Sequence, residues 1–332
     1  MIKNKITYLF LLFSLLLCIS CARITVTEKP VESRLFNPTN SGDEVIDEFA
    51  PHFLVKEAHQ DYNLIGRPMV RMNQEGKQEI FVDPDHSSMF FQREDFNTSN
   101  ARYHNLIYRI HFEQVPFKPG DFHITYGKNV GLLVIITLNE QNVPLLVTTV
   151  HTCGCYLAFF PCPAMPPAAL PDNWPMDYQT LYGINLPSFL VPDDQQSSSL
   201  KYPNIIITLN GGTHRVSNVK LESKSKTIPR YPVREMKLEP MERLSHLKQA
   251  KGETSFFEEN GPRKGYVKNC TKPLERLLMS WWTMDWNIGV DKAYGDSSET
   301  GKVFYTSVKF WRKNDSDMWP FADFLNYWGW KL

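Results

Sequence analysis

The stretch that decides the fold is residues 131–162, GLLVIITLNEQNVPLLVTTVHTCGCYLAFFPC. Two apolar runs, 132–138 and 143–150, lie on either side of the polar turn 139–142. Short β-branched runs bounded by turn residues are typical of strands buried on both faces, so this stretch predicts a central β-hairpin. The second run leads into His-Thr-Cys-Gly-Cys at 151–155, which places the densest group of metal-ligand and redox residues at the end of a core strand.

Outward from this hairpin, the chain shows more strand patterns first and helix patterns later. The segment Tyr103–Val115 alternates, with Leu106 and Tyr108 on one face and Arg109 and His111 on the other. Paired strands are also predicted at 69–72 with 79–82 and at 204–209 with 213–221, and helices at 240–250, 273–286 and 316–328. This order favours the α+β class, with an antiparallel β-hairpin core (a sheet or sandwich) and helices mainly in the C-terminal third.

The tryptophans of the C-terminal third are expected mostly in the core. Leu274, Leu277, Leu278 and Trp281 recur at helical spacing, which is typical of the apolar face of an amphipathic helix. A ligand cleft is the alternative for the wider aromatic stripe, which comprises Trp281, Trp282, Trp286, Trp311, Trp319, Trp328 and Trp330.

The first twenty residues have the organisation of an export signal. Lys3 and Lys5 precede the apolar segment Ile6–Leu17, which is too short to cross a bilayer comfortably. Ser20 then stands directly before Cys21. This order resembles the lipobox signal of bacterial lipoproteins, and the resemblance covers the signal alone.

The resemblance implies that residues 1–20 are removed as a signal peptide and that Cys21 becomes the lipidated N-terminus. Its acyl chains would make the membrane a partner of the protein. Ala22 directly after the cysteine resembles lipoproteins sorted to the outer membrane, here on the periplasmic side of the bacterial envelope. Residues 21–40 are polar and contain two prolines, which predicts a flexible tether. Residues 41–332 are expected to form one globular domain, with a subdivision near 225–235 as the alternative.

The charge balance argues against a nucleic-acid partner. Of the 36 basic residues, two lysines lie in the signal peptide, which leaves 34 basic and 36 acidic side chains without a basic block. A protein or a small ligand remains as the soluble partner.

Four cysteines remain besides Cys21. Because thiols couple in oxidising compartments, structural disulfides are the favoured interpretation for these residues, without a choice of connectivity. The four are Cys153, Cys155, Cys162 and Cys270.

A metal site or a redox-active thiol pair is the alternative for the cluster at 151–155. Two thiols with an imidazole suit copper or zinc, which makes His151, Cys153 and Cys155 the candidate ligands. A straight strand would separate the ends of this set by roughly 13 Å, so Gly154 would have to fold Cys155 back towards His151. His214, His104 and His111 are candidates for a further ligand by residue type.

Two other features are weaker candidates. The loop Gly289–Gly295 offers Asp291, Lys292 and Tyr294 for ligand binding, although a plain turn is the simpler interpretation. His214 directly follows a predicted hairpin turn and is expected to be solvated.

The sequence therefore favours a non-catalytic binding or structural role in the envelope. Walker, GxSxG, HExxH and dinucleotide-binding motifs are absent from the sequence. The alternatives are a metal-handling lipoprotein and an enzyme whose site is assembled from distant residues.

Overall fold

Alternating and fully apolar runs form strands throughout most of the protein. The structure is a computed structural model that describes residues 32–118, 123–192, 204–222 and 230–332. The signal peptide, Cys21 and the first part of the expected tether lie outside these ranges. The strands within them are β1 (Arg34–Pro38), β2 (His52–Val55), β3 (Arg67–Met72), β4 (Gln78–Asp83), β5 (Ser88–Asn97), β6 (Arg102–Val115), β7 (Gly127–Asn139), β8 (Pro144–His151), β9 (Ala158–Pro161), β10 (Tyr178–Leu181), β11 (Ile184–Pro187), β12 (Asn204–Leu209), β13 (Val216–Glu222), β14 (Val233–Pro240), β15 (Leu247–Lys248) and β16 (Glu253–Thr254).

Ten of these strands form one sheet, in the order β13-β12-β2-β1-β14-β5-β6-β7-β8-β9. The meander from β5 to β9 is antiparallel throughout. β14 connects the two halves of the sheet: its first part, 233–236, pairs in parallel with β1, and its second part, 237–240, pairs in parallel with β5. Three separate two-stranded hairpins are β3 with β4, β10 with β11, and β15 with β16.

The two faces of the central meander belong to different cores. Leu106, Tyr108 and Ile110 of β6 share one apolar cluster with Ile205 and Ile207 of β12, so the two halves of the sheet pack against each other. On the other face of the meander a second cluster joins central strands to the C-terminal segment. Its members include Ile107, Leu133, Ile135, Phe304, Phe324 and Trp330. The predicted alternation along residues 103–115 is therefore confirmed.

The helices are short, and three of the four within the described ranges lie in the C-terminal third. They are α1 (Glu44–Phe49), α2 (Pro273–Thr283), α3 (Ser297–Thr300) and α4 (Phe321–Tyr327). The predicted α+β class with a hairpin core is confirmed. No helix in the described parts of the chain is both long and apolar enough to cross a membrane.

Several sequence predictions of elements need correction. The expected helix at 240–250 is a short 3₁₀ turn, Met241–Ser245, followed by β15, because Leu244 and Leu247 point into a third apolar cluster. The predicted tether ends earlier than residue 40, since Leu35 and Phe36 of β1 are buried. Part of the alternative domain boundary near 225–235 lies outside the described residues, and from Val233 onward the chain is the connecting strand β14.

The prediction of an inward apolar face on α2 is wrong. Leu277, Leu278, Trp281 and Trp282 are all at least half exposed, at 50–70% of their surface. The residues of α2 that are buried are Glu275, Ser280 and Thr283. Trp286 and Trp311 are exposed as well, whereas Trp319 and Trp330 pack in the second apolar cluster.

Candidate functional site

The chain turns sharply at the end of β8. The amide of Gly154 donates to the carbonyl of His151 (2.7 Å), and the amide of His151 donates to the carbonyl of Cys155 (2.9 Å). Gly154 has a φ of +95°, and a Cβ at this position would lie 2.1 Å from the carbonyl oxygen of Tyr305. Only glycine fits here. The hypothesis that Gly154 folds Cys155 back towards His151 is confirmed for the backbone.

Cys153 and Cys155 are neighbouring thiols on this turn. Cys153 is buried and Cys155 is partly exposed. Interaction with the Cys155 thiol lowers the pKa of Cys153, and the charge of Lys272 acts in the same direction. The same interaction, together with burial, raises the pKa of Cys155 well above its usual value. The pair therefore releases its first proton more readily than an ordinary thiol and holds the second more tightly.

A buried ion pair lies beside the thiols. Nζ of Lys272 is 3.1 Å from Oδ1 of Asp291, and both side chains are almost completely buried. Oδ2 of Asp291 accepts a hydrogen bond from the amide of Gly131 (2.7 Å) and another from the hydroxyl of Thr152. Burial alone would lower the pKa of Lys272, but the carboxylate of Asp291 raises it well above its usual value. Lys272 therefore carries its positive charge within the protein interior.

Lys292 contacts the turn at residues 151–155 from the other side. Its Nζ donates to the carbonyl oxygen of Cys153 (2.6 Å) and lies 4.3 Å from the centre of the Tyr305 ring. Its amide donates to the carbonyl of Thr152 (2.9 Å), so the loop and the turn run side by side. Burial lowers the pKa of Lys292. We call the turn at residues 151–155 the thiol turn. The loop 289–295 therefore supplies both a base, Lys292, and an acid, Asp291, to the thiol turn.

Glu275 completes the charged surroundings of the thiols. Its Oε1 lies 3.4 Å from Sγ of Cys155, within reach of a hydrogen bond from the thiol. Its Oε2 is buried and has no hydrogen-bond partner within the described residues. Gly289 makes room for this carboxylate, because a Cβ there would lie 2.2 Å from Oε2. The carboxylate thus touches the one thiol of the pair that solvent reaches.

Arg109 lies in the interior on the other side of Lys292. Its Nη1 donates to the carbonyl of Lys292 (2.8 Å), and its Nε donates to Nε2 of His111 (3.1 Å). Nη2 of Arg109 and Nδ1 of His111 are buried, and neither has a partner among the described residues. Burial lowers the pKa of Arg109 to about 10, and burial with the nearby guanidinium lowers the pKa of His111 well below its usual value. His111 is therefore neutral and Arg109 charged at neutral pH.

A cavity of about 650 Å³ reaches Arg109 from the surface. Phe91, Phe257 and Tyr294 contribute apolar surface to its wall. The wall also carries more acids than bases: the charged residues that line it are Arg109, Lys264, Glu94, Glu242, Glu258, Glu259 and Glu299. Burial, followed by the charges of Asp95 and Glu299, raises the pKa of Glu94. The cavity thus combines one buried guanidinium with a mainly acidic wall.

The structure does not assemble the predicted three-ligand metal site. Nε2 of His151 contacts the carbonyl oxygen of His214 at 3.2 Å, and burial lowers the pKa of each imidazole to about 3. His214 stacks on Phe112 with 3.9 Å between the ring centres, so the expectation of a solvated turn residue is wrong. His104 instead contacts Asp95. The described residues contain no group of three His, Cys, Asp or Glu side chains placed to hold a metal.

The predicted disulfides are absent from the described residues, where all four cysteines are free thiols. Cys162 lies among the apolar side chains of the first cluster, and burial raises its pKa to about 12. Cys270 belongs to the third cluster, and burial followed by the charge of Asp291 raises its pKa to about 12. Cys162 and Cys270 lie in separate apolar clusters, so we interpret both as ordinary core residues.

The structure brings several predicted residues together and adds others that the sequence did not reveal. Asp291 and Lys292 join Cys153 and Cys155, whereas Tyr294 lies in the wall of the cavity and donates to the carbonyl of Met318 (3.1 Å). Lys272 and Glu275 were missed, because charged residues at the start of a helix usually face solvent. Arg109 did leave a signal, since it interrupts the apolar run of a long strand.

The comparisons with known proteins give no match: no protein-family model, no curated protein and no solved structure is similar to this chain.

Proposed function

We propose that this protein is a bacterial envelope lipoprotein with a non-catalytic binding role. Residues 1–20 act as its signal peptide, and acyl chains on Cys21 hold the domain at the outer membrane, on the periplasmic side. Support comes from the order of a basic start, a short apolar segment and a small residue before Cys21. Several acyl chains are enough for stable anchoring.

Acylation is tested by growing cells with labelled palmitate. The label is expected on the protein and should disappear in Cys21→Ala. The matched control is Cys18→Ala, which removes a neighbouring thiol and should keep the label. Equal labelling of the two variants, or no label on the natural chain, contradicts the lipoprotein assignment.

The observation that carries the binding role is a cavity of about 650 Å³ whose lining includes Arg109, a buried guanidinium whose Nη2 has no hydrogen-bond partner among the described residues. A buried guanidinium group that lacks a partner is costly, and a ligand carboxylate supplies the missing acceptor with a strong, charge-assisted hydrogen bond. The volume suits a small molecule. Arg109 itself is held by Lys292 and His111, so the donor is positioned before the ligand arrives.

The acidic wall indicates the rest of the ligand. Burial, followed by repulsion from the charges of Asp95 and Glu299, raises the pKa of Glu94, and among the described residues Lys264 is the one other basic residue of the wall besides Arg109. A ligand amine would neutralise this repulsion, so a molecule with both a carboxylate and an amine fits the cavity best. Amino acids and short peptides belong to this class.

Calorimetric titration of the detergent-solubilised, acylated protein with the dipeptide lysyl-alanine tests the binding role. Glu94→Gln should weaken binding about fivefold to tenfold, whereas Glu48→Gln, on the exposed side of α1, should leave it unchanged. Acetate and butylamine each carry only one of the two charges and should bind at least tenfold more weakly. Equal effects of the two Glu variants would falsify the binding role.

A second candidate function, thiol–disulfide exchange, is favoured by the two neighbouring thiols on the Gly154 turn, of which Cys155 is partly exposed. The pair first loses one proton to solvent, which leaves Cys153 as the thiolate. The partly exposed Cys155 then passes its proton to Cys153, and its thiolate attacks one sulfur of a small disulfide, whose other sulfur leaves as a thiolate and takes up a proton from solvent. Cys153 then loses its proton and attacks Sγ of Cys155, which forms the Cys153–Cys155 disulfide and releases the second thiol. The protein is oxidised by two electrons, and the small disulfide is reduced to two thiols.

Mass spectrometry after incubation with oxidised glutathione tests this exchange. The mass of the protein should fall by two hydrogens, Cys155→Ser should block the change, and Cys162→Ser should not affect it. A stable glutathione adduct on the natural chain contradicts the exchange. Copper or zinc handling by His151, Cys153 and Cys155 has less support, because the imidazole faces the carbonyl of His214.

A further inference from the structure

Helix α2 has its polar side inside the protein and its apolar side outside. Glu275, Ser280 and Thr283 are buried, while Leu277 and Trp281 are 70% and 67% exposed. An exposed leucine or tryptophan alone is ordinary, but α2 turns most of its large apolar side chains to water, with only Leu274 and Met279 half-buried. Such a helix loses much of the main driving force for its formation. Contiguous apolar surface of this kind marks an interaction site.

The apolar surface continues beyond α2. Asp285 accepts a hydrogen bond from the hydroxyl of Tyr305 (2.6 Å) and lies 3.6 Å from Nζ of Lys313, which holds the two segments together. Phe310 contacts the ring of Trp311 at 4.8 Å between centres, and both are more than half exposed. We call this surface the tryptophan face and define it by Leu277, Trp281, Trp282, Trp286, Phe310 and Trp311.

We propose that the tryptophan face docks onto the lipid surface of the membrane that carries the acylated N-terminus. This inference rests on the proposed lipoprotein function. Tryptophan combines a large apolar ring with a polar N–H group and is enriched where membranes meet water. Leu277 and Phe310 add side chains that partition into the outer part of the hydrocarbon region.

The charges around the tryptophan face suit an anionic lipid surface. Arg276 and Lys309 are exposed, and neither forms an ion pair within the described parts of the chain. Arg312 is exposed on the same segment as Trp311, next to Asp315. Basic residues beside an apolar surface add electrostatic attraction to anionic headgroups.

The anchor keeps the domain close to the bilayer. Residues 21 and 32 are eleven positions apart, and at full extension that length of chain spans at most about 40 Å. Tethering at such a distance gives a high effective concentration of lipid around the domain. A face of modest intrinsic affinity therefore docks on the membrane once Cys21 is acylated.

Tryptophan fluorescence in vesicles tests the docking. The acylated protein is reconstituted into phosphatidylethanolamine–phosphatidylglycerol vesicles whose acyl chains carry bromine, which quenches tryptophans that enter the lipid. The natural chain should be strongly quenched. The double variant Trp281→Gln with Trp282→Gln should lose about half of the quenching, because it removes half of the exposed tryptophans of the face. Trp174→Phe, outside the face, should leave the quenched intensity unchanged.

The outcomes separate the docking from the proposed function. A palmitate-labelled protein whose quenching equals that of the double variant overturns the docking and leaves the lipoprotein assignment intact. An unlabelled protein overturns the lipoprotein assignment and the docking that rests on it. Dimers that form through Trp281 and Trp282 without lipid quenching assign the tryptophan face to a second copy of the chain, which also overturns the docking.

Discussion

Asp291 connects three parts of the protein through one carboxylate. It forms an ion pair with Lys272, and it accepts hydrogen bonds from the amide of Gly131 and the hydroxyl of Thr152. The central hairpin, the thiol turn and the start of α2 thus meet at a single buried charge. A charge in this position is stable only while its partners remain.

Asp291→Asn should lower the free energy of unfolding by about 3–5 kcal/mol, because it leaves the charge of Lys272 buried without a counter-ion. Combining it with Lys272→Met should recover part of the loss. Urea unfolding followed by fluorescence measures both. Asp172→Asn, which breaks the exposed pair with Lys331, is the control and should change little. A double variant less stable than Asp291→Asn alone contradicts this role.

Gly154→Ala should destabilise the protein by about 2–4 kcal/mol, because its Cβ would meet the carbonyl oxygen of Tyr305. Gly42→Ala is a matched control: Gly42 has the same φ of +95° but nothing within 4 Å of its Cβ position. It should cost only the backbone strain, about 1 kcal/mol. The difference between the two midpoints in urea isolates the steric contact, and equal midpoints contradict it.

For single residues, the sequence indicated which side chains are chemically reactive more easily than which side chains they contact in the folded protein. Cys153, Cys155 and Asp291 stood out by residue type and by the glycines around them. The glycine that the turn requires could be predicted, because only glycine adopts its φ without strain. Lys272 and Glu275 could not be predicted, since their burial depends on tertiary contacts of the start of α2 with Asp291 and with Cys155, which is far away in sequence.

At the scale of elements, β14 is the strand on which the main sheet depends. Lys237 donates its amide to the carbonyl of Ser87 (2.9 Å), and its side chain is exposed. Lys237→Pro removes this donor from a central strand and should cost at least about 3 kcal/mol. Lys237→Ala keeps the amide and should stay within about 0.5 kcal/mol of the natural chain. Thermal unfolding that does not separate the two variants contradicts the role of β14.

Local sequence patterns predicted some of the strands and helices but not others. Strands β6, β7 and β8 of the central meander were predictable, because their apolar runs and alternation set both their type and their faces, whereas β5 and β9 were not predicted. Helix α2 was predictable as a helix from its spacing, but its orientation was not, since periodicity shows that an apolar side exists without showing what covers it. β14 was missed because its sequence, VREMKLEP, mixes charges into a strand that gains its stability from two parallel neighbours.

For the whole molecule, the buried imidazoles predict instability in mild acid. Burial lowers the pKa of His151 and His214 to about 3, and burial also lowers the pKa of His111. The unfolded chain binds protons at these residues below about pH 6.5, whereas the folded protein does not. Their contribution to stability is therefore complete above pH 6.5 and is lost as the pH falls towards 3.

Below pH 6, each such histidine lowers the free energy of unfolding by about 1.4 kcal/mol for every unit by which the pH falls. The three together therefore lower it by up to about 4 kcal/mol per unit. Urea unfolding between pH 7.5 and pH 5 measures this slope. His214→Gln should reduce it by about a third, and His59→Gln, at an exposed position, should leave it unchanged. A free energy of unfolding that stays constant across this range contradicts the prediction.

The parallel pairing of Leu35 with Val233 has a consequence for how the chain folds as it is made. The sheet remains two unfinished pieces with open edges until most of the polypeptide has been synthesised, because β14 comes so late. Contacts this distant in sequence form slowly, and open edges invite association between nascent chains.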